Sequence, residues 1–172
     1  MMEKVATFFK VSKEQFVNSY VSEFGCEKDV AEEIYQNIKL PKRATKGSAG
    51  YDFFSTVKVT LKKGESVKIP TGIRVKIDEG WVLQIFPRSG LGFKYRLQLD
   101  NTVGIIDSDY YLSDNEGHIF VKVTNDSQTD KIVELDVGTG FAQGIFLPFG
   151  ITTDDDTTEI RNGGFGSTGN CK

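Results

Sequence analysis

From residue 49 onward, hydrophobic and polar residues alternate. Val57, Val59 and Leu61 interleave with Lys58, Thr60 and Lys62, and Ile73, Val75 and Ile77 interleave with Arg74, Lys76 and Asp78. A period of two puts the apolar set on one face, so each run predicts a half-buried strand. Further strands are expected over 81–86, 118–125, 132–137 and 143–147, with turns at Lys63-Gly64, Glu79-Gly80 and Asn115-Glu116-Gly117. Short strands at such intervals predict an all-β sandwich or barrel. No sequence period supports a solenoid or propeller.

The first 38 residues follow another rhythm. They are poor in Gly and space Phe16, Tyr20 and Phe24 as one helical face. Ser12 with Gln15 three residues on reads as a capping box: the hydroxyl takes an orphan N–H and Gln15 reaches back. A second helix starts at Asp29, aligns Val30, Ile34 and Ile38, and stops before Pro41. The chain thus divides into a helical hairpin over 1–38, a β core over 39–150 and a C-terminal arm over 151–172. The arm begins with a polar linker containing Asp154, Asp155 and Asp156 and ends Gly-rich over 163–169. Such composition predicts flexibility.

Composition narrows the function. With 172 residues, 38% hydrophobic and 26% charged, the chain suits one soluble core, and 18 Gly with 13 Phe exceed what a helical bundle needs. Twenty-one Lys and Arg against 24 Asp and Glu leave a net charge of −3, too little positive field for a nucleic-acid polymer. Cys26 and Cys171 stand near opposite ends, which excludes a disulfide scaffold and a multi-cysteine zinc site and suits a reducing, cytoplasmic setting. No apolar run is long enough to span a bilayer. His118 is the single histidine, which argues against a Ser/His/Asp plan, and at the head of its strand it reads as a solvated surface residue.

Four segments carry chemistry that packing does not require. Pro87-Arg88-Ser89-Gly90-Leu91-Gly92 offers backbone N–H groups, a hydroxyl and a guanidinium to a phosphate, although such strings are also plain turns. The 163–169 stretch lacks the lysine of a Walker loop, yet Phe165 with Gly166, Ser167 and Thr168 pairs a stacking ring with phosphate donors. Over 101–110, a strand-turn-strand pattern places Asp107 at a bend, where a carboxylate can serve as general base toward water. Ala49-Gly50-Tyr51-Asp52 adds an acidic residue suited to the outer shell of a hydrated Mg²⁺.

Taken in chain order, the segments resemble the five motifs of the trimeric dUTP diphosphatases (dUTPases): 49–52 as the first, 87–92 as the second, 104–110 as the third, Gly138-Thr139-Gly140-Phe141-Ala142-Gln143 as the fourth and 161–169 as the fifth. The resemblance spans about residues 39–169. It implies a dUTPase-like β jelly roll, or β-clip barrel, assembled as a homotrimer with sites between subunits. It implies hydrolysis of dUTP to dUMP and pyrophosphate, with Asp107 activating a water against the α-phosphorus. Asn101, Gly104 and Ile106 would read uracil in the hairpin that runs to Tyr110, and Tyr110 would sit under deoxyribose and crowd a 2′-hydroxyl. Arg88, Ser89, Gly90 and Gln143 would hold phosphates, Arg161 the γ-phosphate, Phe165 would cover uracil, and Gly166, Ser167 and Thr168 would take the distal phosphates. Mg²⁺ would ride on the triphosphate, with Asp52 reached through water.

The chain departs from the family pattern in places. Thr139 and Gly140 stand where Asp and Arg are common, so a salt bridge expected there is absent. The spacing from Arg161 to Gly164 is one residue short, the 111–116 segment is long, and the helical hairpin is extra. The related dCTP deaminases carry glutamate where this chain has Lys122, which argues against deamination. A regulatory protein partner for such a trimer stays open, the hairpin and the long loop being its candidate surface, as does a viral source with the host cytoplasm as its setting.

Overall fold

A computed structural model of the chain describes residues 3–159 and 161. The chain opens with strand β1 (Ala6–Lys10), then helices α1 (Lys13–Phe24) and α2 (Lys28–Gln36). Strands β2 (Lys42–Arg43), β3 (Tyr51–Phe54), β4 (Val59–Leu61), β5 (Ser66–Pro70), β6 (Ile73–Ile77) and β7 (Trp81–Pro87) follow. After helix α3 (Ser89–Tyr95) come β8 (Leu97–Leu99), β9 (Gly104–Ile106) and a 3₁₀ turn (Ser108–Leu112). Strands β10 (Phe120–Asn125), β11 (Val133–Leu135) and β12 (Gly140–Pro148) complete the elements.

The strands form an all-β fold of jelly-roll type: alternation predicted the strands, and the family resemblance the jelly roll. Four antiparallel sheets have the orders β2-β3-β12-β7-β9, β5-β10-β8, β1-β6 and β4-β11. Their inward residues, among them Phe53, Ile69, Leu83, Ile85, Val123 and Phe141, make one apolar core. A smaller core of Val11, Phe16, Val17, Tyr20 and Ala31 lies under the two helices, and Ile38 and Val57 pack against both.

The N-terminal segment holds more than helices. Ala6–Lys10 pairs with β6 from Ala6↔Ile77 to Lys10↔Ile73, so a strand fastens the hairpin to the β core. The expected capping box is half present. Ser12 Oγ accepts from the Gln15 N–H at 3.1 Å, but the Gln15 side chain donates to Ser19, and the Ser12 N–H goes to Glu116, 104 residues away. The Pro-Arg-Ser-Gly segment, read as a phosphate cradle or a plain turn, leads into α3, and 101–110 ends in the 3₁₀ turn rather than a second full strand.

Candidate functional site

The expected site residues gather into two groups on opposite sides of β7. The first lies at the C-terminal end of β7, where β3 and β12 run beside it. Asp52 stands opposite Gln143 in the β3–β12 ladder, and Gln143 Nε2 donates to the Pro87 carbonyl at 3.2 Å. Arg88 Nε meets Asp52 Oδ1 at 3.2 Å, while its Nη1 donates to the Gly140 carbonyl at 3.2 Å. The β12–β3 register shifts between Gly140 and Ala142, an irregularity of the ladder next to this carbonyl. A Cβ on Gly140 would stand 2.9 Å from Arg88 Nη1, so the glycine found there is what lets the guanidinium lie against the backbone. Ser89 and Gly90 follow in the first turn of α3, both exposed.

The second group is built on β9 and the 3₁₀ turn. Beside the connection from β8 to β9, Asn101, Gly104 and Ile106 line a pocket of about 400 Å³ together with Lys68, Ile85, Leu99, Phe120 and Lys122. Asp100 at its rim pairs with Lys122 at 2.8 Å and accepts from Thr124 Oγ1. Burial works to raise the Asp100 carboxyl, but these two bonds and the lysine charge leave it below its ordinary value.

Asp107 caps the 3₁₀ turn, and with Ile105, Ile106, Tyr110 and Arg161 it lines a recess of about 30 Å³. Arg161 spans two carboxylates, with Nη2 at 2.6 Å from Asp107 Oδ2 and Nε at 2.9 Å from Asp109 Oδ1. The resemblance assigns Arg161 to a phosphate, whereas here one short turn offers its fork two acceptors. Tyr110 is buried, donates to the His118 carbonyl at 2.8 Å and accepts from Asn115 Nδ2 at 2.9 Å. Burial pushes its phenol above the ordinary value, against the Asn115 bond and the Arg161 charge.

The two groups are far apart within one chain. Ile106 pairs with Leu83 on β7, and Arg88 lies five residues beyond Leu83, about 17 Å along the strand at ~3.3 Å per residue. Arg88 also leans toward β12 and β3, away from β9. Phe165, Gly166, Ser167 and Thr168 lie outside the described residues.

His118 corrects the sequence reading. It is fully buried, packs with its ring centroid 4.3 Å from that of Phe120, and accepts the Gly72 N–H through Nε2 at 2.9 Å. Burial holds the imidazole down at about 3, so it is neutral at pH 7, with Glu116 pulling weakly the other way. The sequence signalled none of this, because its partner sits 46 residues upstream. Glu116 and Arg74, which brace the same loop, were also missed; the turn signal at Asn115-Glu116-Gly117 was the one trace of them.

Among the described residues no cluster of three or more His, Cys, Asp or Glu is arranged for a metal, and no helix is long and apolar enough to cross a membrane. Of the carboxylates of the two groups, Asp52, Asp107 and Asp109 are already engaged by arginines and Asp100 by Lys122. That donor set fits a Mg²⁺ held by a ligand's phosphates and waters, with one protein carboxylate near, and not a protein cage.

A family model described as dUTPase matches residues 36–169. The deoxyuridine 5'-triphosphate nucleotidohydrolase of Lactococcus lactis subsp. lactis (strain IL1403) is 44% identical over 140 residues, 78% of this chain and 92% of that protein. The dUTPase of Streptococcus mutans superposes with a TM-score of 0.59 at 42% identity, covering 68% of this chain and 90% of that one. A mutant form of the dUTPase from phage phi11 of S. aureus, described with a structural Mg(II) ion, has a TM-score of 0.57 at 26% identity, covering 72% and 92%.

Proposed function

The chain belongs to the dUTPase family, and on that premise we propose that it hydrolyses dUTP to dUMP and pyrophosphate through Asp107, at sites completed by a second copy of the chain. The observation that carries the reading is the second group. A carboxylate at the head of a short turn faces a recess beside a buried tyrosine, and Ile106 of β9 lines both that recess and a pocket with room for a nucleobase.

Asp107 takes a proton from a water as that water's oxygen attacks the α-phosphorus; the bond from the α-phosphorus to the bridging oxygen breaks, and pyrophosphate leaves. Asn101, Gly104 and Ile106 hold the uracil in the pocket. Backbone groups matched to uracil leave cytosine's donors unpaired, which costs about 1–3 kcal/mol per buried group. Tyr110 lies beneath the deoxyribose. Arg88, Ser89, Gly90 and Gln143 take phosphate oxygens, and Phe165, Gly166, Ser167 and Thr168 close over base and phosphates. Arg161 begins on Asp107 and exchanges this partner for the terminal phosphate. Asp52 would be reached through water by a Mg²⁺ carried on the triphosphate, an ion that would supply positive charge against the phosphates when bound.

The separation of Arg88 from Asp107, about 17 Å along the strand with the Arg88 head turned toward β12 and β3, supports a site shared between copies. Phe93, Ile105, Phe149 and Ile151 stand exposed in the isolated chain, Phe93 at 94%, which is apolar surface suited to an assembly. We assign that assembly as the homotrimer of the family resemblance.

The test is pyrophosphate release from dUTP, dCTP, dTTP and UTP with Mg²⁺, for the wild type and Asp107→Asn. Fast dUTP-selective release, lost in the variant while dUTP binding is kept, is expected. Release unaffected by the variant removes Asp107 as the base, and ammonia release from dCTP redirects the reading to deamination.

A further inference from the structure

The N-terminal strand and helices meet the proposed catalytic turn through a few polar contacts. At the head of α1, Ser12 gives both its N–H and its hydroxyl to the Glu116 carboxylate, at 2.7 Å and 2.6 Å. The carboxylate therefore sits on the N-terminus of a twelve-residue helix, where unpaired N–H groups and the helix dipole favour negative charge. Arg74 of β6 approaches Glu116 at 3.9 Å, donates to the Tyr111 carbonyl at 2.6 Å and stacks 3.7 Å above the Tyr111 ring. Burial alone would raise the Glu116 carboxyl; the two Ser12 bonds and the Arg74 charge hold it below its ordinary value.

These anchors fix a segment with strained geometry. Glu116 holds a left-handed backbone, φ +59°, rare for a residue with a side chain. Its neighbour Gly117, φ +71°, has no room for a Cβ, which would lie 2.7 Å from the Tyr110 carbonyl oxygen and 2.8 Å from Tyr111 Cα. The 115–118 bend is thus folded directly onto the backbone of the turn that begins at Asp107. Tyr110, Asn115 and His118 link the two by hydrogen bonds. Fixing such a bend needs partners outside it: Gly72 holds His118, Arg74 approaches Glu116, and Ser12 gives Glu116 its two short hydrogen bonds.

We propose that Glu116 is a positioning residue for the reaction: by accepting both hydrogen bonds of Ser12 it locks the 3₁₀ turn that carries Asp107 and Tyr110, so that the N-terminal strand and helices tune catalysis without touching substrate. The proposal rests on the reading of Asp107 and Tyr110 as the water base and sugar platform. Small displacements of a positioned base cost one to two orders of magnitude in rate.

The experiment uses the full chain as wild type, Glu116→Ala, Glu116→Gln, Ser12→Ala and the Ser12→Ala/Glu116→Ala double variant. It measures kcat and KM for dUTP and for UTP, the melting midpoint, and hydrogen exchange of the 107–116 amides. Glu116→Ala is expected to lower kcat for dUTP roughly tenfold, to narrow the preference for dUTP over UTP, and to raise exchange at the Tyr110 and Ser113 amides. The double variant is expected to be no worse than Glu116→Ala, and Glu116→Gln to fall between, which keeps the test usable if the alanine variant folds poorly. Unchanged exchange in 107–116 overturns the proposal whatever the activity. Raised exchange with unchanged kcat and nucleotide preference overturns it too, as does a loss of kcat that follows only the loss of folded protein. A wild type that leaves dUTP intact overturns the assigned reaction instead, while the exchange measurement still reports whether Glu116 holds the turn.

Discussion

Lowering the pH from 7 to 5 is expected to destabilise the fold by about 2 kcal/mol through His118 alone. An imidazole ordinarily titrates at 6.5, and in the fold burial holds this one at about 3. Between those values the unfolded chain binds a proton that the folded chain refuses, so stability is full above about 6.5 and declines as the pH falls toward 3. At pH 5 the unfolded imidazole is about 1.5 units below its midpoint, and at about 1.36 kcal/mol per unit this gives about 2 kcal/mol. Other groups titrate in the same range, so the measurement is a comparison. His118→Gln keeps an acceptor for the Gly72 N–H but cannot take the proton. Urea unfolding of both proteins at pH 7, 6 and 5, at one protein concentration, should show the gap between them shrinking by about 2 kcal/mol toward pH 5. Parallel pH dependences would refute the burial argument.

Three further outcomes follow from the geometry. Mixing Asp107→Asn with Arg88→Ala, each inactive alone, and reassembling them should restore part of the wild-type rate, because mixed oligomers contain sites with both halves intact; no recovery after confirmed subunit exchange would place the whole site in one chain. Asn125 is buried, donates to the Leu61 and Lys131 carbonyls and accepts from Ser127, so Asn125→Ala strands three backbone groups and should cost about 3 kcal/mol in urea unfolding. Gly117→Ala should lower stability by more than about 1 kcal/mol and reduce kcat, since its methyl has to displace the Tyr110 backbone; wild-type melting and turnover would contradict the close approach.

What the sequence disclosed follows from the range of the forces involved. The alternation at 57–62 and 73–78 marks strands because one face is buried and one is wet, a property local to each run. β1 escaped notice because its strand character comes from pairing with β6, some 65 residues on, and a run with both Phe8 and Phe9 gives no clean alternation. α3 carries Gly90 and Gly92, poor helix formers, and forms between β7 and the left-handed cap at Arg96. Of the site, the residue types and their order were legible, and the structure brings Asp52, Arg88 and Gln143 together, and separately Asp107, Tyr110 and Arg161. The distance between the two groups was not legible, because it depends on which strands flank β7. His118 was misjudged for the same reason: its burial is decided by Phe16, Phe120 and the Gly72 backbone, of which Phe120 alone is near it in the chain.

The Ser12–Glu116 contact also bears on how the chain comes off the ribosome. The two residues are separated by 104 positions, which at typical elongation rates of roughly 5–20 residues per second is a wait of about 5 to 20 seconds. During that interval α1 and α2 have each other and their small core, but β1 lacks β6 for much of it and the head of α1 lacks its carboxylate throughout. The N-terminal unit is therefore an early, local structure with a late, distant fastening. The order of synthesis leaves the turn at Asp107 to be locked late, when most of the β core has already been made.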